Sequence, residues 1–355
     1  MSSPEQRPLP SAGSEPIVSV RELSKSFALK RRAGQPARLL HAVRRVDFDI
    51  AHGETLGLVG ESGSGKSTTG RMLVGLIPAT SGTVRLFGET LTGPGAGAAV
   101  ARLRSRVQFV FQDPQSSLNP RMRVGDAIAE PIDVAGNLSR RDRQRRVEEL
   151  LDIVGLPRSC GERFPHEFSG GQRQRIGIAR ALALKPEFIV CDEPVSALDV
   201  SLQAQVVNLL LDLQQAFGLS YLFIAHDLAV VRNISDRVAV MYAGEIVETA
   251  PRDALYAEPL HPYTRTLLDA VPRPDPRRRL VASVKGELPS LVNPPQGCTF
   301  APRCPHAMDR CRVESPLPRF AGPGRQVACH LFQEVPAPGA GATPLATAPA
   351  TAHAR

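Results

Sequence analysis

A glycine-rich stretch in the first quarter of this 355-residue chain constrains its fold more than any other segment. The residues Gly60-Glu61-Ser62-Gly63-Ser64-Gly65-Lys66-Ser67-Thr68 match G-x-x-x-x-G-K-[ST], the pattern of a loop that wraps nucleotide phosphates. Lys66 supplies a charge for the β- and γ-phosphates, and Ser67 offers a hydroxyl to Mg²⁺. An apolar run at 55–59 predicts a buried strand before the loop, and a helix is expected from Lys66 to about Leu76.

A second segment ends in two acids. The run Phe188-Ile189-Val190-Cys191-Asp192-Glu193 predicts a buried strand whose carboxyl end faces the ligand crevice of an α/β sheet. We expect Asp192 to hold Mg²⁺ through water and Glu193 to polarise the attacking water as general base. The alternative is a pair of solvated acids at a turn.

The segment Ser169-Gly170-Gly171-Gln172 has the form of a glycine-rich helix start, which can bind an anion in its own right. One nucleotide does not need two such helix ends. We therefore expect this segment to cap a nucleotide held by a partner subunit.

The order of segments predicts the architecture. Strands alternate with helices around the phosphate loop, which favours a mostly parallel α/β sheet, with antiparallel strands near the N-terminus. The sequence also predicts a helix start at Ser139, mainly loops in the proline-rich part beyond 270, loops at the basic insert 30–35 and at 93–97, a half-buried strand at 46–50, and a hairpin of 238–242 and 246–249. Residues 17–270 are expected to form the nucleotide-binding domain, with a helical part at about 115–165. Residues 271–333 form a proline-rich extension, and the tails 1–16 and 334–355 are expected to be disordered.

Composition leaves the partner class open. The net charge is +8, which suits a nucleic-acid binder, a protein beside an anionic membrane face, or neither. The sequence has no apolar run of membrane-spanning length and no apolar signal-peptide core near its N-terminus. We expect a cytoplasmic protein that docks on other chains if it works at a membrane.

The cysteines divide into two sets. Cys191 lies in an apolar run as a small core residue, and Cys160 has no evident role. The other four lack the C-x-x-C pairing of common zinc sites but suggest a soft-metal site, either iron–sulfur or zinc. Free thiols remain the alternative, and His306 and His330 are spare nitrogen ligands. These four residues are Cys298, Cys304, Cys311 and Cys329.

The phosphate loop, the Ser-Gly-Gly-Gln segment and the strand ending in two acids occur together and in the order found in a known family. With these motifs, the chain resembles the ATP-binding subunit of an ABC transporter. Gln112, His226 and the segment Ser196-Ala197-Leu198-Asp199 fall where that family has functional elements, and Phe168 replaces a leucine common in the family. The resemblance implies an α/β P-loop NTPase fold. It would have a mixed central sheet, an antiparallel β subdomain, a helical subdomain and, in this chain, a cysteine-containing C-terminal extension.

The resemblance also implies a role for each matched residue. Phe27 would stack on adenine, although an insert follows it, and Gly60 to Thr68 would hold the phosphates. Lys66, Glu193 and His226 would be the catalytic groups, with His226 contacting the γ-phosphate. The Mg²⁺ site would comprise Ser67, Gln112 and Asp192, and the partner's nucleotide would meet Ser169, Gly170, Gly171 and Gln172. Asp199 would let the two subunits sense each other, and Gln112 with the stretch 115–165 would relay the nucleotide state to membrane subunits.

The later segments are similar to those of peptide importers, most closely the F-type subunit of oligopeptide/dipeptide permeases. They are 224–231, 261–264 and 289–305. This resemblance implies two permease subunits, a paralogous D-type ATPase, an extracytoplasmic solute-binding protein and a peripheral place on the inner face of the plasma membrane. It associates the four-cysteine extension with a [4Fe–4S] cluster, with zinc as the alternative.

Three other functions stay open. The importer could carry nickel or another small solute, because peptide and nickel importers are related. A soluble ABC ATPase acting on nucleic acid would suit the positive charge, but the single phosphate loop and the importer-type tail argue against it. A non-catalytic regulatory subunit is the third alternative, although Lys66, Glu193 and His226 are all intact.

Overall fold

The computed structural model describes residues 15–29, 38–113, 117–136, 138–270 and 289–332. Several predictions lie outside these residues. They are the disorder of both tails apart from residues 15 and 16, the loop character of the basic insert at 30–35, and the first part of the C-terminal extension up to residue 288.

The strands of the described residues form two sheets. A four-stranded sheet has the order β2-β1-β4-β5, and an eight-stranded sheet has the order β11-β12-β10-β9-β3-β8-β7-β6. Their bounds are β1 Val18–Ala28, β2 Leu39–Ile50, β3 Thr55–Val59, β4 Ser81–Leu86, β5 Glu89–Thr90, β6 Val107–Val110, β7 Phe188–Asp192, β8 Ser220–Ala225, β9 Arg237–Tyr242, β10 Glu245–Pro251, β11 Arg319–Phe320 and β12 Gln326–Val327.

The smaller sheet is antiparallel, as the sequence predicted for the N-terminal region. Strand β1 is its centre, with Val18 opposite Ile50 on one side and Leu86 on the other. Strand β2 begins at Leu39, well before the predicted start at Val46, because its first half pairs with the end of β1.

The larger sheet is mixed. Strands β9, β3, β8, β7 and β6 run parallel, and β3, β7 and β8 are buried along their whole length. The predicted hairpin of β9 and β10 is present. Two short strands of the C-terminal extension continue the sheet beyond β10, since β12 pairs with β10 and β11 with β12. The extension was expected to consist mainly of loops, so this addition to the sheet is a difference from the prediction.

The helices of the described residues connect and cover the strands. Their bounds are α1 Lys66–Leu73, α2 Ala96–Leu103, α3 Val124–Ala135, α4 Arg140–Ile153, α5 Gly170–Ala181, α6 Val200–Phe217, α7 Leu228–Ile234, α8 Arg252–Ala257, α9 Pro262–Asp269 and α10 Asp309–Val313. Short 3-10 turns occur at Arg158–Glu162, Pro165–Glu167, Ala301–Arg303 and His330–Phe332.

Local sequence explains most helix boundaries. Ser139 caps α4 as predicted, since its side chain accepts a hydrogen bond from the backbone N–H of Asp142. Helix α1 ends at Leu73, short of the predicted Leu76, because the N–H groups of Gly75 and Leu76 turn back to close it. Helix α2 replaces part of an expected loop, since Ala99 and Leu103 bury one face of a glycine-rich segment.

The two apolar clusters lie on opposite sides of the larger sheet. One joins alternate residues of β3, β7 and β8 to the N-terminal sheet and α1, and the other packs helices α3 to α7 against the same strands. Helices α3 and α4 fill most of the stretch predicted to be helical at 115–165. Within the described residues, no helix is both long enough and apolar enough to cross a membrane.

Candidate ATP site

The predicted catalytic groups follow four adjacent strands of the larger sheet. The phosphate loop follows β3, His226 follows β8, Asp192 and Glu193 end β7, and Gln112 comes two residues after β6. Neighbours in the order β3-β8-β7-β6 are parallel. Because the carboxyl ends of parallel strands meet at one edge of a sheet, the fold brings these residues to one crevice.

The shape of the phosphate loop depends on two glycines. Gly60 has a φ of 153°, and a Cβ there would lie 2.1 Å from the carbonyl oxygen of Met241. Gly65 has a φ of 106°, and its Cβ would lie 2.3 Å from the carbonyl oxygen of Ala42. No larger residue fits either position without a backbone shift, so the loop is held closely against strands β2 and β9.

Lys66, the first residue of α1, is enclosed by this loop. Its ammonium Nζ donates to the carbonyl oxygens of Gly60 at 2.8 Å and Glu61 at 3.0 Å, and the residue is 4% exposed. Burial lowers the pKa of Lys66, while the nearby charges of Glu193, Asp192 and Glu61 act in the opposite direction. A buried ammonium at the N-terminal end of a helix is suited to meet phosphate oxygens.

Ser67 and Asp192 are in direct contact. The Ser67 hydroxyl donates to Asp192 Oδ1 at 2.7 Å, and Arg71 Nη2 lies 4.0 Å from Asp192 Oδ2. Burial raises the pKa of Asp192, and the Ser67 hydrogen bond and the Arg71 charge counteract part of that effect. The hydroxyl and carboxylate oxygens fit the ligand preference of Mg²⁺. Gln112, the third predicted Mg²⁺ ligand, directs its amide Nε2 to Glu193 instead.

Glu193 is the centre of the other half of the site. Its carboxylate Oε2 accepts a hydrogen bond from Gln112 Nε2 at 3.0 Å and lies 3.2 Å from His226 Nδ1. Its backbone N–H donates to the Ile224 carbonyl, and its φ of 47° is unusual for a residue with a side chain. Such backbone strain is tolerated only where the surroundings hold it, and it concentrates at functional sites.

The segment from Ser169 to Gln172, here called the signature segment, lies elsewhere on the surface. Ser169 caps α5 by accepting from the Gln172 N–H, and Gln172 Oε1 accepts from the Ser169 N–H in return. Asp199 caps α6, and Leu202 of that helix approaches the Cβ position of Gly171 to 3.2 Å. Ser169, Gln172 and Asp199 are exposed. In the described part of the chain, no hydrogen bond joins them to the phosphate loop, and their contact with a partner's nucleotide stays a prediction.

Phe27 lies near the end of β1, opposite Leu40 of β2. Its ring is half-buried, and the Lys25 ammonium lies 5.0 Å from the ring centroid. The structure thus places Phe27 in the antiparallel sheet, and its predicted contact with adenine stays a prediction.

Comparison with known proteins gives two family matches. The family described as ABC transporter matches residues 43–196, and the one described as "Oligopeptide/dipeptide transporter, C-terminal region" matches residues 247–311. A Brucella abortus protein named "Putative peptide import ATP-binding protein" is 63% identical over 321 residues, which cover 90% of this chain and 95% of that protein. The chain belongs to the ABC transporter ATP-binding proteins.

Other relatives of this ABC ATPase carry similar names. A "Probable peptide ABC transporter ATP-binding protein" of Sinorhizobium fredii is 52% identical, with 94% of this chain and 95% of that protein covered. A "Putative oligopeptide transport ATP-binding protein" of Bacillus subtilis is also 52% identical, with 90% and 96% covered. A solved dimeric ATP-binding cassette in a post-hydrolysis state, bound to ADP and Pi, has a TM-score of 0.59 and 28% identity. It covers 66% of this chain and 99% of its own. These matches confirm the predicted α/β ABC ATPase fold.

The phosphate loop of this ABC ATPase has contacts that the sequence did not predict. The Glu61 N–H donates to the Tyr263 hydroxyl at 2.9 Å, and Arg303 of the C-terminal extension donates to both Glu61 carboxylate oxygens at 2.9 and 3.1 Å. Tyr263 lies in the segment 261–264, whose sequence indicates only a similarity to peptide importers. Arg303 directly precedes a predicted metal ligand, Cys304, and nothing local indicates its partner.

The four cysteines of the extension do not form the expected metal site in this structure. Within the described residues, no group of three or more His, Cys, Asp or Glu side chains could hold a metal ion. The thiols are nonetheless close enough to influence one another. Burial raises the pKa of Cys298 to about 11, and the charges of Cys311 and Cys329 add to that rise. Burial likewise raises the pKa of Cys304 and of Cys329. Cys191 is fully buried in the core, as predicted.

Proposed function

We propose that this ABC ATPase hydrolyses ATP to energise the import of oligopeptides or dipeptides across the cytoplasmic membrane. The observation that carries the hydrolytic part is the convergence of Lys66, Asp192, Glu193 and His226 at the carboxyl ends of adjacent parallel strands. Peptide as the solute is supported by the match of residues 247–311 to the oligopeptide/dipeptide transporter C-terminal region and by the names of the relatives.

In the proposed mechanism, Gly60 to Thr68 surround the phosphates with backbone N–H groups, and Lys66 transfers its ammonium hydrogen bonds from the loop carbonyls to the β- and γ-phosphates. Ser67 and Asp192 would hold Mg²⁺, and Gln112 would complete the set once its amide turns from Glu193. Bound Mg²⁺ neutralises charge on the phosphates. Phe27 stacks on the adenine.

Glu193 accepts a proton from the attacking water in this mechanism. Gln112 and His226 share one oxygen of its carboxylate before nucleotide binds. Once Gln112 turns away, His226 still holds that oxygen and leaves the other for the water. His226 is 57% exposed, which suits a side chain that also contacts the γ-phosphate. Positioning and charge stabilisation then account for the rate.

The exposed signature segment supports a two-subunit arrangement. We assign Ser169, Gly170, Gly171 and Gln172 to the nucleotide bound by a paralogous ATPase subunit, and Asp199 to communication across that interface. The packing of Leu202 against Gly171 supports this assignment, since it joins the signature helix to the helix that Asp199 caps.

A cavity beside Gln112 supports docking on membrane permeases. Its volume is about 280 Å³, and it is lined by strand β6, helices α1, α2 and α5, and Pro131 of α3. Most of the lining is apolar, including Leu76, Val107 and Phe111, and Phe111 is 39% exposed. We propose that a cytoplasmic helix of one permease subunit places an apolar side chain in this cavity. The second permease subunit would dock in the same way on the paralogous ATPase subunit. The chain would then be peripheral on the inner face of the membrane, and an extracytoplasmic solute-binding protein would deliver the peptide.

We also propose that the four extension cysteines ligate a [4Fe–4S] cluster when one is supplied, with zinc as the alternative. The proximity of the thiols supports the proposal, whereas their present arrangement does not complete a metal site. Protein purified without oxygen should contain iron and acid-labile sulfide and absorb at about 400 nm. Loss of that signal in Cys311→Ser, but not in Cys191→Ser, would support ligation. A colourless wild-type protein with neither iron nor zinc would mean free thiols.

The function is tested by purification from native membranes, followed by mass spectrometry and ATPase assay. We expect two permeases, a second ATPase and a solute-binding protein, and the last can be screened for peptides against nickel and other small solutes. Lys66→Ala and Glu193→Gln should abolish turnover at this site, whereas Glu149→Gln on the exposed face of α4 should not. Recovery with nucleic acid, or unchanged activity of Glu193→Gln, would favour the alternatives of a soluble ATPase or a regulatory subunit.

A further inference from the structure

An ion pair joins the C-terminal extension to the phosphate loop. Arg303 Nη1 lies 2.9 Å from Glu61 Oε2, and Arg303 Nη2 lies 3.1 Å from Glu61 Oε1, so the guanidinium binds the carboxylate in bidentate fashion. The Arg303 side chain is only 5% exposed and that of Glu61 is 25% exposed. A shielded bidentate pair is among the stronger polar contacts in proteins, and it is geometrically specific.

The guanidinium is itself fixed by aromatic packing. Arg303 ends the 3-10 turn that follows Phe300, and Phe300 is fully buried. The Phe300 ring lies 5.2 Å from that of Tyr242 and 5.4 Å from that of Tyr263. Tyr242 accepts a further hydrogen bond from Arg303 at 3.3 Å. The turn therefore has little freedom to carry Arg303 away from the loop.

The same turn lies between two of the extension cysteines. The Ala301 N–H donates to the Cys298 carbonyl at 3.0 Å, and the Cys304 N–H donates to the Ala301 carbonyl at 3.3 Å. The backbone that places Arg303 is thus continuous with the backbone of both cysteines. An interaction that restrains Cys298 and Cys304 would therefore also restrain the turn that carries Arg303.

Glu61 is a sensitive point for nucleotide binding. Its carbonyl accepts from the Lys66 ammonium, and its N–H is held by the Tyr263 hydroxyl. Without Arg303, the Glu61 carboxylate would be an uncompensated negative charge in a loop that binds phosphates. It would repel ATP, and the loop would lose the contact that fixes its shape.

We propose that Arg303 is a positioning residue for ATP binding, through which the cysteine-containing extension sets the affinity of the phosphate loop. The proposal rests on the proposed ATPase function. Arg303 acts through Glu61 and need not touch the nucleotide.

The test compares Mg-ATP affinity of the full-length variants by titration calorimetry. Arg303→Gln should raise the dissociation constant about tenfold, because the half-buried charge of Glu61 loses its ion-pair partner. Arg310→Gln is the matched control, since Arg310 makes a similar bidentate pair with Glu314 on the exposed surface of the same extension. Its affinity should equal that of the wild type.

A second variant separates positioning from general damage. Glu61→Gln in the Arg303→Gln background removes the unpaired charge and should restore several-fold of the lost affinity, so the two changes should be strongly non-additive. In the assembled transporter, Arg303→Gln should raise KM for ATP with little change in kcat. Arg303→Lys keeps the charge but not the bidentate geometry, so its affinity for Mg-ATP should lie between those of Arg303→Gln and the wild type.

Unchanged affinity in a folded Arg303→Gln protein would overturn the proposal, and so would simple additivity with Glu61→Gln. If Arg303→Gln does not fold, the same comparison is made with Arg303→Lys, and an affinity equal to that of the wild type would overturn it. Failure of the wild-type protein to bind ATP would instead refute the proposed function, so the two failures are distinguishable.

Discussion

Replacing Gly65 with alanine should damage the fold far more than the same change two residues earlier. An alanine Cβ at position 65 would lie 2.3 Å from the Ala42 carbonyl oxygen and 2.8 Å from the Met241 methyl carbon. Contacts this short are not sustained, so the loop or strand β2 must move. Gly63 also has a positive φ, 78°, but nothing lies within 4 Å of its Cβ position.

The magnitudes follow from these two environments. A left-handed backbone costs an alanine roughly 1–2 kcal/mol, and this applies at both positions. Overpacking against neighbouring atoms adds about 1–3 kcal/mol, and this applies only at position 65. Gly65→Ala should therefore lower the free energy of unfolding by about 2–5 kcal/mol, and Gly63→Ala by about 1–2 kcal/mol.

Urea unfolding of both full-length variants, without nucleotide, measures the difference. ATP affinity is measured in parallel, and we expect Gly63→Ala to bind more weakly despite its smaller loss of stability, because the change strains the loop that holds the phosphates. Equal losses of stability in the two variants would refute the steric reasoning. A Gly65→Ala protein as stable as the wild type would mean that the loop moves away from β2 at little cost.

The remaining predictions concern the buried groups of the site. Phe300→Ala should lower the free energy of unfolding by about 3–5 kcal/mol in a thermal or urea melt, and a loss below about 1 kcal/mol would mean that the extension does not depend on this anchor. Asp192→Asn should melt at a higher temperature than the wild type at pH 7 but hydrolyse no Mg-ATP. Burial raises the pKa of Asp192, so the folded protein binds its proton more readily than the unfolded chain does. The stability from that proton is present at low pH and is lost as the pH rises through the raised pKa, and Asp192→Asn should lack this dependence. An Asp192→Asn melt that matches the wild type at every pH would contradict that sign.

The candidate site was predictable because its motifs specify backbone geometry and chemistry together. A strand–loop–helix with Lys66 and Ser67 has one phosphate-facing arrangement, and acids at the end of a buried strand must face the same sheet edge. At that edge the structure joins Ser67 to Asp192, and Gln112 and His226 to Glu193. The Gln112 amide on Glu193 and the left-handed backbone of Glu193 were not predictable, since both depend on packing between separate strands.

The C-terminal extension was predicted less well, because its structure depends on contacts far away in sequence. Val327 forms a strand because it pairs with Glu248 of β10, which without β12 would be an edge strand of the larger sheet. Arg303 and Glu61 are 242 residues apart, and neither has a sequence pattern that indicates the other. Cysteine spacing suggested a metal site, but spacing alone does not fix the distances between four side chains on loops and short turns.

The charges around Lys66 explain why the loop needs a contact from so distant a residue. Glu193, Asp192 and Glu61 all lie close enough to affect the pKa of Lys66, so ATP would bring further negative charge to a place that already contains three carboxylates.

Each carboxylate has its own partners within the chain. Asp192 has Ser67 and Arg71, Glu193 has Gln112 and His226, and Glu61 has Arg303. The partners of Asp192 and Glu193 come from elements that the motifs identify, and they can rearrange when Mg²⁺ and water arrive. The partner of Glu61 comes from the extension and is anchored by Phe300, so we expect this ion pair to persist when nucleotide binds. Loss of the extension should therefore weaken ATP binding even though every motif of the ATP site remains.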